Sequence, residues 1–370
     1  MLIGVPTEIK NSEYRVGLTP DSVHELVSHG HTVYIQHNAG ARIGFYDTDY
    51  QAVGAEILPD AQAIFDQSEM IVKVKEPQPD ECRMLKANQL LFTYLHLAPD
   101  PQQTQLLMDS GCSAIAYETV TDQHGHLPLL TPMSEVAGRL SVQAGAACLE
   151  CHAGGSGILL GGVPGTKPAN VVVIGGGVVG LNAIKIALGM QANVTVLDNS
   201  LPRLRELNDL FGAELRTLYS NKANLQSAVS NADLVIGAVL IPGAAAPKLI
   251  THEHLQSMRA GSVLVDVAID QGGCFETSHA TTHQQPTYEV DGVIHYCVAN
   301  MPGAVSKTAT KALNNATLPF VVKLANQGRQ ALINDPHLRN GLNVHQGQIT
   351  CQAVSNALNL SYVDPLEALE

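Results

Sequence analysis

Charged side chains are scarce in this chain, and acids outnumber bases. Only 15% of the 370 residues are Asp, Glu, Lys or Arg, and the formal net charge is −13. Because a phosphate backbone or an anionic lipid surface attracts a basic face, this balance excludes nucleic acids and anionic membranes as expected partners. An anionic small molecule would need a few local cations. With so few charged residues, we expect most of the surface to carry neutral polar side chains or to be buried between subunits.

The sequence has no long apolar run, and we expect no secretory leader. Its longest apolar stretch, residues 171–181, is short and rich in glycine, so we predict no membrane-spanning segment. The first residues have no basic region, and Pro6 interrupts them before charged residues follow. We therefore expect a cytoplasmic protein.

Seven cysteines, an odd number, do not form the disulfide framework of a secreted protein. Cys148, Cys151 and His152 match the spacing of c-type haem attachment, but that chemistry requires export, which nothing in the sequence indicates. The alternative is two small residues packed on a helix that ends at Gly154 and Gly155. We favour the alternative and predict no haem and no metal site.

Short apolar runs alternate with helical stretches along most of the chain. Predicted strands at 2–6, 32–36, 70–75, 89–95 and 113–116 alternate with predicted helices at 20–29, 61–67 and 101–110. A second series of strands is predicted at 170–174, 193–198, 233–240, 262–268 and 293–298. This alternation indicates an α/β fold with two doubly wound parallel sheets.

Two long helical stretches, 134–152 and 304–328, bracket the second series of strands. The chain is too long for one compact core, and its tail at 329–370 is too short to form a domain. We therefore predict a Rossmann dinucleotide-binding domain, residues 131–303, inserted into a discontinuous substrate domain made of residues 1–130 and 304–370. The two helices would connect the domains.

The segment GGGVVG, residues 175–180, fits the dinucleotide-binding pattern G-x-G-x-x-G. It follows a predicted strand and precedes a predicted helix, as that pattern requires. Gly175 would make the turn, Gly177 would let a pyrophosphate approach the backbone, and Gly180 would let helix and strand pack closely. The alternative is a glycine-rich turn in a sheet that binds no nucleotide.

Asp198 ends the next predicted strand, about 20 residues after the glycine segment, where such folds place the carboxylate that binds the adenosine ribose. A carboxylate repels a 2′-phosphate, so NAD is favoured over NADP. Arg203 and Arg205 follow closely and leave NADP as an alternative.

Ligands of open α/β sheets bind beyond the carboxyl ends of the strands. After the predicted strands this rule selects Arg15, Lys75, His96, Ser220, Asp270 and Asn300. We expect them to face one another across a cleft between the domains.

These residue types suit the oxidation of an amino acid. Arg15 and Lys75 would bind a substrate carboxylate or carbonyl oxygen, His96 would move protons, and Asp270 would position the water that hydrolyses an imine. Each has another interpretation. His96 is one of 15 histidines, Lys75 would pair with Glu76 in solvent, and Asp270 would cap a turn.

Eight segments resemble the L-alanine dehydrogenase family, in order and along the whole chain. They are GVPTEIK (4–10), EYRVGLTP (13–20), GFYDTDY (44–50), VKVKEP (72–77), LFTYLHLA (91–98), TPMSEVAG (131–138), DVAIDQGG (266–273) and NMPGA (300–304). The cysteines at 148 and 151 are not characteristic of that family, but they lie outside these segments.

The resemblance implies roles for individual residues. Arg15 and Lys75 match the family's pyruvate-binding residues, and His96 and Asp270 match its catalytic residues. The residues predicted to bind NAD are Ser134, Gly175, Gly177, Val178, Val179, Gly180, Asp198, Ser220, Val239, Leu240, Val267, Asp270, Asn300 and Met301. The implied substrates are L-alanine, pyruvate and ammonia, and the implied assembly is a homohexamer.

Three other functions remain open. The NAD(H)-binding subunit of a proton-pumping transhydrogenase resembles the chain in fold and docks on a membrane partner, but that lineage typically lacks a histidine at position 96. A lysine or saccharopine type of dehydrogenase shares the plan and needs a longer pocket. A non-catalytic NAD sensor would bind NADH without turnover.

Overall fold

The computed structural model describes residues 1–239 and 246–370. The chain divides into two compact units, one formed by Met1–Met133 with Val305–Glu370 and the other by Ser134–Ala304. Each is built on one sheet with helices, which confirms the predicted α/β fold class. That the first unit binds the substrate and the second unit binds the dinucleotide stays a prediction. Within the described residues, every helix is too short or too polar to cross a membrane.

The strands follow in chain order. They are β1 (Leu2–Val5), β2 (Thr32–Gln36), β3 (Glu56–Leu58), β4 (Met70–Val72), β5 (Leu90–Thr93), β6 (Ser113–Ala116), β7 (Asn170–Ile174), β8 (Asn193–Asp198), β9 (Leu215–Tyr219), β10 (Leu234–Gly237), β11 (Val263–Asp266), β12 (Thr287–Val290), β13 (Val293–Tyr296), β14 (Leu342–His345) and β15 (Gln348–Ile349).

The α-helices are numbered in the same way. They are α1 (Pro20–Ser28), α2 (Asp47–Ala52), α3 (Ala61–Gln67), α4 (Pro79–Met84), α5 (Pro101–Ser110), α6 (Thr131–Cys148), α7 (Val178–Gly189), α8 (Leu201–Phe211), α9 (Lys222–Ser230), α10 (His252–Ser257), α11 (Ser306–Gln327), α12 (Arg329–Asn334), α13 (Pro336–Arg339), α14 (Gln352–Leu358) and α15 (Pro365–Leu369).

The sheet of the first unit has the strand order β15-β14-β6-β5-β4-β1-β2-β3. Strands β1 to β6 run parallel to one another, and β14 pairs antiparallel with β6 and β15. Strands β4, β5 and β6 are buried along their whole lengths, as expected of strands covered on both faces. The site residues depend on one feature of this order, namely that β1, β4 and β5 are adjacent.

The sheet of the second unit has the order β12-β13-β11-β10-β7-β8-β9. All neighbours are parallel except β12, which pairs antiparallel with β13. The central strand β7 has the sequence NVVVI, and its four apolar residues are buried. A continuous apolar run is what a strand covered on both faces requires.

The structure differs from the sequence-based expectations mainly at element ends and sheet edges. The predicted strands 70–75 and 89–95 end at Val72 and Thr93, so the polar residues that follow lie in loops. The predicted helix 134–152 begins three residues earlier, at Thr131, and ends at Cys148. Strands β3, β9, β12, β14 and β15 were not predicted. The parallel sheets that were predicted also carry antiparallel edges, formed by β12, β14 and β15.

Candidate active site

Three of the predicted residues in the first unit follow three adjacent parallel strands. Arg15 comes after β1, Lys75 after β4 and His96 after β5. Carboxyl ends of parallel strands meet at one edge of a sheet, so these side chains share that edge. The loop that carries Arg15 lies against the end of β4, because a β-carbon at Gly17 would lie 2.4 Å from the carbonyl oxygen of Val72.

Arg15 is almost completely buried, with 2% of its surface exposed. Its Nε and Nη2 atoms donate to the two carboxylate oxygens of Glu13, at 2.7 and 2.6 Å, and Nη1 lies 3.1 Å from the sulfur of Met133. Burial alone would lower the pKa of Arg15, but the hydrogen bonds and charge of Glu13 outweigh that effect and raise it. The guanidinium therefore stays charged, and its orientation is fixed.

Lys75 has a main chain held from two sides. Its amide and that of Val74 donate to Oε1 of Glu8, at 3.4 and 2.6 Å, and its carbonyl oxygen accepts from the Thr93 hydroxyl at 2.9 Å. Its Nζ atom lies 4.0 Å from Glu76, whose side chain is 14% exposed against 11% for Lys75. The ion pair considered as an alternative for Lys75 is thus present, but it is mostly buried rather than solvated.

A buried ionic network lies beside this loop. The Nζ atom of Lys73 contacts Oε2 of Glu8 at 3.0 Å and Oε1 of Glu81 at 2.7 Å, and none of the three side chains is more than 2% exposed. Burial raises the pKa of Glu8, and the charge of Lys73 opposes that shift. Glu8 therefore connects Lys73 with the backbone that carries Lys75.

His96 differs from its neighbours in exposure and in backbone conformation. Its side chain is 44% exposed, whereas Leu95 and Leu97 on either side are buried. Its φ of 49° lies in the left-handed region, which is strained for a residue with a β-carbon. The ring of Tyr94 is parallel to the His96 ring at 5.9 Å, and the Tyr94 hydroxyl donates to the carbonyl oxygen of Leu129 at 2.6 Å. The Glu118 carboxylate accepts from the His96 amide.

The predicted cofactor residues of the second unit lie at the carboxyl ends of neighbouring parallel strands. In strand order across the sheet they are Asn300 and Met301 beyond β13, Val267 and Asp270 beyond β11, Val239 beyond β10, the 175–180 segment beyond β7, Asp198 at the end of β8, and Ser220 beyond β9. Leu240 lies outside the described residues. The shared edge is where an open α/β sheet binds its ligand.

Ser134 lies in the first turns of α6, which packs against the start of α7. A β-carbon at Gly138 would lie 2.2 Å from the carbonyl oxygen of Val179. The Arg139 side chain also donates to that of Asn182 at 3.0 Å. Ser134 therefore lies one helical turn before Gly138, the residue of α6 that packs against α7, and both belong to the same unit.

The glycine segment has the geometry that its pattern predicts. Gly175 has φ 99°, and a β-carbon at Gly180 would lie 1.8 Å from the Gly175 carbonyl oxygen, so neither position tolerates a side chain. A β-carbon at Gly177 would meet nothing within 4 Å, which leaves open space above the first turn of α7. No side chain among the described residues caps α7. Its amides are therefore suited to bind a phosphate group.

Asp198 holds the glycine segment as well as standing at the predicted ribose position. Its Oδ2 accepts from the Gly176 amide at 2.7 Å, and its Oδ1 accepts from the Ser200 amide at 2.8 Å. The Ser220 amide donates to the carbonyl oxygen of Asp198 at 2.9 Å, which brings these two predicted residues together. Arg203, considered above as an opening for NADP, donates to the Gly176 carbonyl oxygen at 2.7 Å.

Asp270 is exposed and lies in the short 3-10 helix Val267–Gln271. Its Oδ1 accepts from the amide of Asn300 at 3.3 Å. The cap of this helix is Asp266, whose Oδ1 accepts from the Ala268 amide at 3.1 Å. A different aspartate therefore caps the start of this helix, whereas the carboxylate of Asp270 contacts the loop that carries Asn300.

Several carboxylates that shape the site were missed in the sequence. They are Glu8, Glu13, Glu118 and Asp266. Asp266 is fully buried, and burial raises the pKa of its carboxyl group, against hydrogen bonds from Ser278 and Cys274. Only Glu13 could have been identified from local sequence, because it is two residues from Arg15. Glu8 contacts Val74, 66 positions away, and Glu118 contacts His96, 22 positions away.

The haem-like motif has an ordinary structural environment. Cys148 is buried at the end of α6, and burial raises the pKa of its thiol to about 11. Cys151 is exposed, and His152 lies 3.2 Å from Glu150. Within residues 1–239 and 246–370, no group of His, Cys, Asp or Glu side chains has the arrangement of a metal site.

Comparison with known proteins gives consistent matches over both units. The family description "Alanine dehydrogenase/PNT, N-terminal domain" matches residues 4–137, and "Alanine dehydrogenase/PNT, C-terminal domain" matches residues 141–352. The alanine dehydrogenase of Halomonas elongata is 60% identical over 98% of each chain. That of Bacillus subtilis is 53% identical over 100% of this chain and 98% of its own.

Solved structures agree with these sequence matches. An L-alanine dehydrogenase superposes with a TM-score of 0.95 at 56% identity, covering 97% of this chain and 99% of its own. A transhydrogenase from Sinorhizobium meliloti has a TM-score of 0.81 at 23% identity, covering 95% and 100%, which indicates a common fold alone. From these full-length matches, the chain belongs to the alanine dehydrogenase/PNT family.

Proposed function

We propose that this protein is an NAD-dependent L-alanine dehydrogenase, which converts L-alanine reversibly into pyruvate and ammonia. The observation that carries the proposal is the position of Arg15, Lys75 and His96 beyond three adjacent strands. The same chain is 53–60% identical to alanine dehydrogenases over nearly its whole length. The more distant likeness to a transhydrogenase, at 23% identity, supports no second function.

The substrate's negative charge would be bound by two cations. Arg15 binds the carboxylate, and its orientation is set in advance by Glu13. Lys75 binds the oxygen of the pyruvate carbonyl group, and the hydrogen bonds to Glu8 and Thr93 fix the backbone from which it extends. Substrate binding then requires little reordering of the Arg15 side chain or of the Lys75 backbone.

Three observations in the second unit support the binding of NAD. Space is open above Gly177, close packing at Gly180 excludes a side chain, and no described side chain caps α7. The amides of the glycine segment would hold the pyrophosphate, and Asp198 would bind the adenosine ribose and repel a 2′-phosphate. NAD supplies, when bound, a hydride acceptor at C4 of its nicotinamide ring.

The chain's own residues supply acid–base chemistry. His96 would take up and return protons as the amine of alanine becomes an imine and then ammonia. Asp270 would position the water molecule that adds to the imine carbon, and the carbinolamine formed in this way collapses to pyruvate and ammonia. The exposed positions of both side chains let them reach a bound substrate.

We further propose that the protein is a cytoplasmic homohexamer, as its family resemblance implies. All seven cysteines are free, as in proteins of a reducing compartment. The low share of charged residues, 15%, is compatible with large buried interfaces between subunits.

The function can be tested through its proposed proton carrier. We expect His96→Ala to lower kcat for ammonium-dependent pyruvate reduction by about 100-fold or more, the usual contribution of a positioned acid–base group. NADH binding, measured by fluorescence titration, should be unchanged. His24→Ala, which replaces an exposed histidine of α1, is the matched control and should behave as wild type. Near-normal turnover by His96→Ala would remove His96 from the mechanism.

A further inference from the structure

The loop that carries His96 is held in a conformation that its own residues do not favour. The φ of His96 is 49°, in the left-handed region that glycine and asparagine adopt more readily. Its neighbours Leu95 and Leu97 are buried, so the left-handed residue is the one at which the loop turns its side chain outward. Some other group must supply the energy that keeps this turn populated.

Glu118 accepts hydrogen bonds from the backbone at this turn. It lies in the 3-10 helix Tyr117–Thr119, directly after β6, the strand next to β5. Its Oε1 accepts from the amides of Leu95 and His96, at 3.1 and 2.6 Å, and its Oε2 lies 3.2 Å from the Leu95 amide. Two successive amides are thus directed at one carboxylate, and hydrogen bonds to an ionised acceptor are the strong kind.

The same carboxylate faces the imidazole ring. Oε1 of Glu118 lies 3.9 Å from Nδ1 of His96, and 15% of the glutamate side chain is exposed. A negative charge on that side favours the tautomer with its proton on Nδ1, which leaves Nε2 to exchange protons with a substrate. The residues on either side of His96 are held by neutral side chains. Gln103 donates to the carbonyl oxygen of Leu95, and Thr104 donates to that of Leu97.

From these contacts we infer that Glu118 is a positioning residue for proton transfer by His96, an inference that rests on the proposed function. It holds the left-handed turn through two backbone amides, and it orients the imidazole through its charge. It touches neither substrate nor cofactor in this account. Its effect on the reaction therefore passes entirely through His96.

Three variants separate this role from a general effect on folding. Glu118→Ala removes both backbone hydrogen bonds and the charge, whereas Glu118→Gln keeps an acceptor oxygen and removes the charge. Asp60→Asn is the control, because Asp60 also accepts a backbone amide hydrogen bond, from Ala63 at 2.9 Å at the start of α3, and asparagine caps helices about as well as aspartate.

We expect a change in kcat with little change in binding. Glu118→Ala should lower kcat by about 100-fold, and Glu118→Gln by about tenfold, since a positioned acid–base group contributes at least that much. The KM for pyruvate and the Kd for NADH should stay near their wild-type values, and Asp60→Asn should match wild type throughout. The double variant Glu118→Ala/His96→Ala should be no slower than His96→Ala alone, because residues that act as one unit are not additive.

The opposite results would overturn the inference. These are a kcat of Glu118→Gln equal to that of Asp60→Asn, a further loss of rate in the double variant, or a rise in KM without a fall in kcat. If Glu118→Ala does not fold, the comparison of Glu118→Gln with Asp60→Asn decides alone. A wild-type protein without ammonium-dependent turnover would instead refute the proposed function, and the inference with it.

Discussion

Replacing Lys73 with methionine should destabilise the first unit more than any surface change. The Nζ atom of Lys73 lies 3.0 Å from Glu8 and 2.7 Å from Glu81, and Lys73 itself is completely buried. Methionine fills a similar volume but carries no charge. The Lys73→Met variant would therefore leave two buried carboxylates without their shared cation.

The magnitude follows from this burial. Removing one partner of a buried ion pair typically costs about 3–5 kcal/mol, because the remaining charge is uncompensated. For a unit of this size that corresponds to a fall in Tm of roughly 6–20 °C. The matched control is Lys86→Met, since Lys86 pairs with Asp66 at 2.7 Å while both side chains are about half exposed. Such an exposed pair contributes little to stability, so this variant should melt close to wild type.

The pH dependence gives an independent check. Burial raises the pKa of Glu8 in the folded protein, and Lys73 lowers it, so removing Lys73 should raise that pKa further. Between the unfolded and folded pKa values the folded state binds a proton that the unfolded state does not, so stability falls as pH rises through this window. The deficit of Lys73→Met should therefore be largest at neutral pH and shrink as the solution is acidified.

Thermal melts of wild type, Lys73→Met and Lys86→Met at several pH values would provide the measurement. A Lys73→Met protein that melts with wild type at neutral pH would refute the reasoning. So would a deficit that grows on acidification, because the buried carboxylates would then not be its cause.

Two further predictions concern the second unit. Gly180→Ala should abolish NADH binding in fluorescence titrations, because its β-carbon would lie 1.8 Å from the Gly175 carbonyl oxygen. The control is Gly189→Ala on the same helix, which should bind NADH normally because its β-carbon would meet nothing within 4 Å. Normal binding by Gly180→Ala would contradict the assigned turn. Asp198→Ala should weaken NADH binding by about tenfold or more, since it removes a charged hydrogen-bond acceptor and releases the Gly176 amide. It should also reduce the preference for NADH over NADPH. An unchanged ratio of the NADH and NADPH affinities would show that Asp198 does not select the cofactor.

The sequence was most informative where local pattern and topology agree. A run such as NVVVI, a glycine segment and an aspartate at the next strand end specify a strand, a turn and a strand in one short stretch. The rule that ligands bind beyond strand ends then selected Arg15, Lys75 and His96, which the structure places beyond adjacent strands. These inferences need only short-range information, and for this reason they could be made from one chain.

Features that depend on distant partners could not be predicted. Glu8 and Lys73 are 65 residues apart, and nothing in either local sequence indicates that they meet. The left-handed conformation of His96 and the hydrogen bonds of Glu118 likewise appear only once β5 and β6 are adjacent. Short strands such as β15, with two residues, carry too little pattern to be recognised.

The central claim is that this chain interconverts alanine and pyruvate with NAD. The most direct measurement is the loss of NADH absorbance with the purified protein in the presence of pyruvate and ammonium, beside reactions that lack ammonium or contain NADPH. We predict rapid oxidation that requires both pyruvate and ammonium and is much slower with NADPH. NADH that is bound but not oxidised would contradict the claim and would favour a non-catalytic or transhydrogenase-type role.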